Sequence, residues 1–507
     1  MGFKAIVRRR TALKAGNDTP TRASELTVRE SLMPLFLVTI LYFLWVRLAQ
    51  VIFLLDNGNS DGRLPQGFAY GLLDTLNKHF QNQLHITRAR SSGLQGAYFG
   101  AYPLASLGFA NYTLRHYGYK ATFMLGLILY GIGALCMWPA GLNKSFGGFC
   151  GATVVIGSGL GSLETAANPF MAVCGPPKYA ELRINLAQAV QAVGTVVGPV
   201  LGAHVFFKNT GNDENSLKSV QWVYLAIGVF VFALAGVFYI AQIPEVTDAD
   251  MALQAEETHA GTNDEPFRKQ YKLFHAAAAQ WCYTGAQVAI ATYFINYVTE
   301  TRPGTSNSTA ANFLAVAQGC FAIGRFSGSV LMRFVRPRIV FLAYLTGVVA
   351  FNAAAIDTVG NTGLAMLNLT LFFESVCFPT IVALGIRGLG RHTKRGAGLI
   401  IAGVSGGAAV PAMLGAVADN KNDTGFAMVV PTCFMIASWS YAICVNYVPA
   451  YRDVADKIGE SSIGLDGEGG AVKAKALGGG GGDEESGLGK MEEERVEVVG
   501  VDSAGSK

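Results

Sequence analysis

Apolar residues in this chain come in runs of about twenty, broken by short polar clusters, and runs of that length predict helices that cross a membrane. The runs place helices near 31–45 continued by 67–80, then 92–114, 119–141, 147–174, 184–207 and 219–243. A polar stretch at 244–270, carrying Asp248, Asp250, Glu256, Glu257, Asp264 and Glu265, interrupts them. Six more helices are predicted near 271–298, 308–334, 338–358, 361–387, 395–418 and 426–448. The pattern divides the chain into an N-terminal segment (1–30), a six-helix half (31–243), a linker (244–270), a second six-helix half (271–448) and a tail (449–507). The tail turns Gly-rich and acidic and has too little apolar surface to fold alone. The fold class expected is an all-α membrane protein of twelve transmembrane helices.

The two halves repeat. Glu164 precedes Pro169 as Glu374 precedes Pro379, and the same separation lies between the two acids as between the two prolines. Predicted helix 2 ends in a basic turn (Arg115, His116, Lys120), and helix 8 likewise (Arg333, Arg336, Arg338). Helices 5 and 11 carry GPVLG and GGAAVPAMLG. Matches in the same order indicate two parallel six-helix pseudo-repeats, the plan of the major facilitator fold.

Basic residues choose the orientation. Arg115, Lys120, Lys178, Arg183, Arg268, Lys269, Arg333, Arg336, Arg338, Arg387, Arg391, Lys394 and Arg395 fall on one side, which the positive-inside rule assigns to the cytoplasm together with both termini. Lys78, Arg88 and Arg90 fall on the other side. Three N-x-S/T sequons (Asn143, Asn307, Asn422) lie in predicted outer loops. No secretory signal precedes the first apolar run, so that run is expected to remain as a helix.

Composition agrees. Only 15% of the 507 residues are charged, against about 25% in soluble proteins, and the mean hydropathy is +0.34. The 61 glycines suit helices that approach closely in lipid. A net charge of +4 does not point to nucleic acid as a partner. The eight cysteines sit mostly in apolar runs without metal or redox spacing and read as packing residues. With no nucleotide motif, metal-ligand cluster or catalytic loop signature, the chain reads as a carrier rather than an enzyme, with no cofactor beyond a coupling proton.

Candidate chemistry begins with two acids in apolar runs, Asp74 and Glu164. A charge at the bilayer centre costs on the order of 3 kcal/mol or more, so such residues usually face a cavity and carry function. Residues three, four or seven apart share a helix face. Tyr70, Asp74 and Asn77 do so on helix 1, and Gln95, Tyr98 and Tyr102 on helix 2. Glu164 and Asn168 share a face of helix 4, Gln188 and Gln191 one of helix 5, and Gln280, Tyr283 and Gln287 one of helix 7. Amides offer both hydrogen-bond senses, and tyrosines offer a flat face with a polar tip, which together suit a sugar. Each amide serves equally as a bond to a neighbouring helix. Glu374 has the repeat position of Glu164 and serves equally as a gate or a packing bond. Arg183 pairs with an acid at the cytoplasmic gate or sits solvated in a loop. His204 reads as interfacial, and Arg325 is assigned to the turn between helices 8 and 9.

YGLLDTLNKHFQ (70–81), SSGLQGAYFGAY (91–102), GSLETAANPF (161–170), RINLAQAVQAVG (183–194), QWCYTGAQ (280–287) and GRFSGSVL (324–331) resemble the fucose/galactose/glucose–proton symporters of the major facilitator superfamily. The resemblance runs in order from about 31 to 448, and FPTIVALGIRGLGRHTKRGAG (378–398) looks like its fungal branch. It implies a central monosaccharide site, coupling to an inward proton gradient, a bilayer setting (the plasma membrane) and a monomer. It also implies that the helix 1 acid, here Asp74, serves sugar recognition and proton coupling, and that the helix 4 acid, here Glu164, is protonated. The chain departs from bacterial fucose permease at Tyr70 and Gly71, where two asparagines stand, and at Gln191, where an asparagine stands. Those departures bear on which sugar is taken. A uniporter and a non-transporting sugar sensor are the alternatives.

Residues 46–66 interrupt the first helix, and removing them joins LYFLW to GFAYGLLD. Val46 and Gln66 can be encoded by the GT and AG ends of an intron, so a translated intron is one reading. The other is a real insert, with 34–55 spanning alone and Arg47 inside it.

Overall fold

The computed structural model describes residues 26–44, 93–143, 145–201, 216–241, 243–248, 250–252 and 265–459. The expectations for Tyr70, Asp74, Asn77, His204, the 46–66 insert, residues 249 and 253–264 of the linker and the tail from 460 lie outside the described residues.

The described residues are helical, with no strand among them. In the first half these are α1 (Val28–Leu44), α2 (Gly93–Gly100), a π-helical segment (Leu104–Phe109), α3 (Ala110–Leu142), α4 (Phe146–Val173), α5 (Ala180–Leu201) and α6 (Ser216–Ile240). The second half contains α7 (Tyr271–Thr301), α8 (Asn307–Leu331), α9 (Pro337–Asp357), α10 (Gly360–Glu374), α11 (Cys377–Ile386), α12 (Thr393–Ala402), α13 (Gly406–Lys421), α14 (Thr424–Ala427) and α15 (Val429–Tyr447), and α16 (Pro449–Gly459) follows. Local chemistry sets several boundaries. At α1, Thr27 and Glu30 cap each other's backbone N–H groups, a reciprocal capping box. Ser306 accepts from the Thr309 N–H at the start of α8.

The predicted break between helices 2 and 3 is present inside α3 at Gly118, whose φ of 84° and ψ of −174° belong to a region open essentially only to glycine. The Glu245 carboxylate occupies the space a Cβ would fill there and accepts the Tyr119 N–H at 2.8 Å. Predicted helix 10 differs from a single span: α10 stops at Glu374 and α11 starts at Cys377. Pro379 has no N–H to offer the Ser375 carbonyl four residues back, and Ser375 Oγ bonds the Phe372 carbonyl instead. Predicted helix 11 is likewise divided into α12 and α13 by a short 3₁₀ turn at Gly403–Ser405.

The two halves meet along α5 against α8 and along α2 against α13. At the end bearing the basic turns, ion pairs fasten them. Glu181 of α5 is fully buried against Arg387, just past α11, whose other N–H group donates to the Ala455 carbonyl of α16. Lys394 of α12 holds Glu245, after α6, at 3.0 Å. Burial pushes the Glu245 carboxyl above the usual carboxylate range, and the Lys394 ammonium draws it back down. Asn185 of α5 donates to Thr380 of α11 at 3.2 Å. Asp456 of α16 takes Arg336 at 2.7 Å and Arg338 at 2.9 Å. Arg183 pairs with no acid among the described residues. Its guanidinium donates to the carbonyls of Met171, Ala172 and Pro176, filling acceptors that the C-terminal end of α4 leaves open.

Replacing Gly118 with Ala should destabilise the protein by about 1–3 kcal/mol, from the backbone conformation alone. It should also displace Glu245 from the Tyr119 N–H. A melting temperature in detergent equal to that of the unmodified protein would contradict this account.

Candidate functional site

A cavity between the halves is lined from the first half by Tyr98, Phe99, Tyr102, Glu164, Gln188, Gln191 and Ala192, and from the second by Thr284, Gln287, Phe321, Arg325, Phe378 and Val404. It leaves about 80 Å³ for the centre of a water molecule, room for several waters among these side chains.

Close helix approach builds the acidic wall. Gly157 of α4 faces the Tyr98 carbonyl so tightly that a Cβ would collide with it, so α2 lies directly on α4. Tyr102, just past α2, then reaches across α4 and donates its hydroxyl to Glu164 Oε1 at 3.3 Å. Glu164 Oε2 is buried without a hydrogen-bond partner among the described residues. The rings of Tyr98 and Tyr102 lie 5.8 Å apart, and those of Phe99 and Tyr102 lie 6.0 Å apart, forming an aromatic surface beside the carboxyl.

Amides form the next layer. Gln188 lines the cavity and donates to Asn168 Oδ1 at 3.0 Å, so Asn168 of α4 stands behind it and fixes its orientation. Gln191 lies one turn further along α5 on the same wall. Opposite, Gln287 and Thr284 project from α7, and Gln280 Nε2 donates to Thr284 Oγ1 at 3.1 Å from behind. Tyr283 is turned to α10, where its hydroxyl donates to the Glu374 carbonyl at 2.5 Å. The break between α10 and α11 leaves that acceptor available.

Six of the residues expected from the sequence therefore share the cavity wall: Tyr98, Tyr102, Glu164, Gln188, Gln191 and Gln287. Asn168, Gln280 and Tyr283 stand one layer back, each bonded to a neighbouring group. Gln95 is buried in α2 off the wall, with neither amide atom bonded among the described residues.

Arg325 overturns its assignment to a turn. It lies inside α8, 4% exposed, and lines the cavity. Its Nε donates to the Ser375 carbonyl at 2.5 Å, the acceptor that Pro379 leaves open, and its Nη1 donates to the Gln188 carbonyl of α5 at 3.2 Å. The guanidinium also sits 4.5 Å from the centre of the Phe321 ring. One side chain thus joins α8 to α10–α11 and to the opposite half. The GRFSGSVL segment placed an arginine near a helix end, and nothing in its spacing shows the bend in helix 10 that draws the side chain inward.

Comparison with known proteins agrees with the fold and the resemblance. Residues 62–435 match the family model of the Major Facilitator Superfamily. The chain is 30% identical over 432 residues to the L-fucose-proton symporter of Escherichia coli strain K12, covering 80% of this chain and 92% of that one. It is 31% identical over 398 residues to the glucose/galactose transporter of Brucella abortus biovar 1 (strain 9-941), covering 77% and 91%. The crystal structure of FucP of E. coli in the outward conformation is similar with a TM-score of 0.64 at 29% identity, covering 81% of this chain and 98% of that one.

Replacing Arg325 with Met should remove two buried bonds from a charged donor, each worth about 1.5–3 kcal/mol. Replacement with Lys, which keeps the charge but loses the fork, should recover only part of the loss. Thermal unfolding of the three proteins in one detergent measures this, and equal midpoints would show that the bonds carry no weight.

Proposed function

We propose, from the premise that the chain belongs to the Major Facilitator Superfamily, that it imports a hexose or deoxyhexose together with protons by alternating access. The observation that carries this is Glu164, an acid on the wall of a cavity between two helical halves, held by Tyr102 and faced by Gln188, Gln191 and Gln287. Flanking aromatic rings suit the C–H faces of a pyranose, and the amides suit its hydroxyls. The named relatives transport fucose with protons, or glucose and galactose, and this chain spans nearly their full length.

In this reading Glu164 takes a proton from outside as the sugar enters, and Asp74 senses the sugar. A neutral, loaded site lets the halves rock. An empty, charged site resists, because an uncompensated carboxylate inside the bundle is costly. The basic ends are placed in the cytoplasm, with both termini, in the plasma membrane, and the protein acts as a monomer. The Glu181–Arg387 and Glu245–Lys394 pairs then close the inner side, and inward opening must separate them.

Replacing Glu164 with Gln should abolish proton-driven accumulation in proteoliposomes while leaving sugar exchange in counterflow. Counterflow with fucose, galactose, glucose and mannose in turn would identify the sugar. Full uphill uptake by the Gln variant would refute the role of Glu164. Equilibration unaffected by a protonophore, with no accumulation, would make the protein a uniporter, and binding without uptake would make it a sensor.

A further inference from the structure

We propose that Glu374 is a second proton-exchanging acid, seated in the second half, so that two protons accompany each sugar. The proposal rests on the reading of the chain as a proton-coupled carrier. Glu374 is 2% exposed, ends α10 where the helix breaks, and has one carboxyl oxygen, Oε2, without a hydrogen-bond partner among the described residues. Its carboxyl is in hydrogen-bond contact with the side chain of Gln287, which lines the cavity.

The arrangement repeats that of Glu164. In each half an acid stands five residues before a proline, with a cavity-wall donor on its carboxyl (Tyr102 or Gln287) and a bare, buried Oε2. A buried carboxylate with an unpaired oxygen is favoured as the neutral acid, so each is suited to hold a proton in this state. The charged and titratable groups brought around Glu374 are Arg325 from α8, Tyr283 from α7 and Cys377 at the start of α11. Arg325 is the one cation in that set, and it interacts electrostatically with Glu374.

Arg325 also supplies a route for release. Its Nη1 is bonded across the halves to the Gln188 carbonyl. A rocking movement that draws α5 from α8 frees that N–H and lets the guanidinium favour ionised Glu374. The proton passes from Glu374 to water that enters the cavity from the inner side as the halves part, and Arg325 balances the charge left behind. Glu374, Gln287 and Arg325 thus form the second half's counterpart of the Glu164–Tyr102 site.

The test measures protons taken up per sugar by the full chain in liposomes with a trapped pH indicator, the membrane potential held at zero, and whichever of fucose, galactose or glucose gives counterflow. The unmodified protein should move two protons per sugar, and Glu374→Gln should move one. At a gradient of one pH unit its limiting accumulation should fall about tenfold. An unchanged ratio in Glu374→Gln overturns the inference and leaves the proton-coupled reading standing. Absence of sugar-linked proton uptake in the unmodified protein removes both. If Glu374→Gln fails to exchange sugar in counterflow, labelling of the unmodified protein by a hydrophobic carbodiimide decides. Modification of Glu374 that falls as the pH rises supports the inference, and modification independent of pH, or none, overturns it.

Discussion

A carboxyl group inside a helical bundle at membrane depth has no bulk water to solvate it, and the interior of this protein is arranged around that constraint. Glu164 is met by the Tyr102 hydroxyl because α2 rides directly on Gly157 of α4. Glu374 is reached by Gln287, beside a helix break that offers backbone acceptors to Tyr283 and Arg325. Each of the two acids is met by one cavity-wall side chain and keeps one carboxyl oxygen unbonded among the described residues. That property distinguishes a carrier's interior from a packed core, where buried polar groups are normally satisfied in one fixed arrangement.

The same constraint separates two kinds of contact between the halves. Around the cavity they meet by packing of α5 on α8 and of α2 on α13, with a hydrogen bond from Arg325 to the Gln188 carbonyl. At the basic end they are fastened by the Glu181–Arg387 and Glu245–Lys394 ion pairs, with α16 drawn in by Arg336, Arg338 and Arg387. Strong ties at one end and weak ones at the centre suit halves that hinge rather than slide.

Much of the fold was legible because hydrocarbon thickness sets helix length and glycine or proline marks the breaks. The runs at 147–174 and 338–358 correspond closely to α4 and α9, and Gly118 turns where the pattern breaks. The site was legible where helical spacing alone decides the face, as at Gln188 and Gln191. It was less so on α7, where Gln280, Tyr283 and Gln287 follow one stripe but point to different neighbours, because tyrosine is long enough to reach an acceptor on α10. Arg325 was missed because its placement depends on Pro379, fifty-odd residues away in sequence, leaving the Ser375 carbonyl open.

The sequence by itself determined the helices, their division into two related halves, the basic end and the positions of Glu164 and Glu374, since each follows from local composition, period or repeat. Only the tertiary structure decided which polar residue of a stripe faces the cavity, that Arg183 caps carbonyls instead of pairing with an acid, and that Arg325 bridges the halves. The physical reason is that a hydrogen-bonding side chain takes the nearest open acceptor, and the helices that bring that acceptor close lie far apart along the chain.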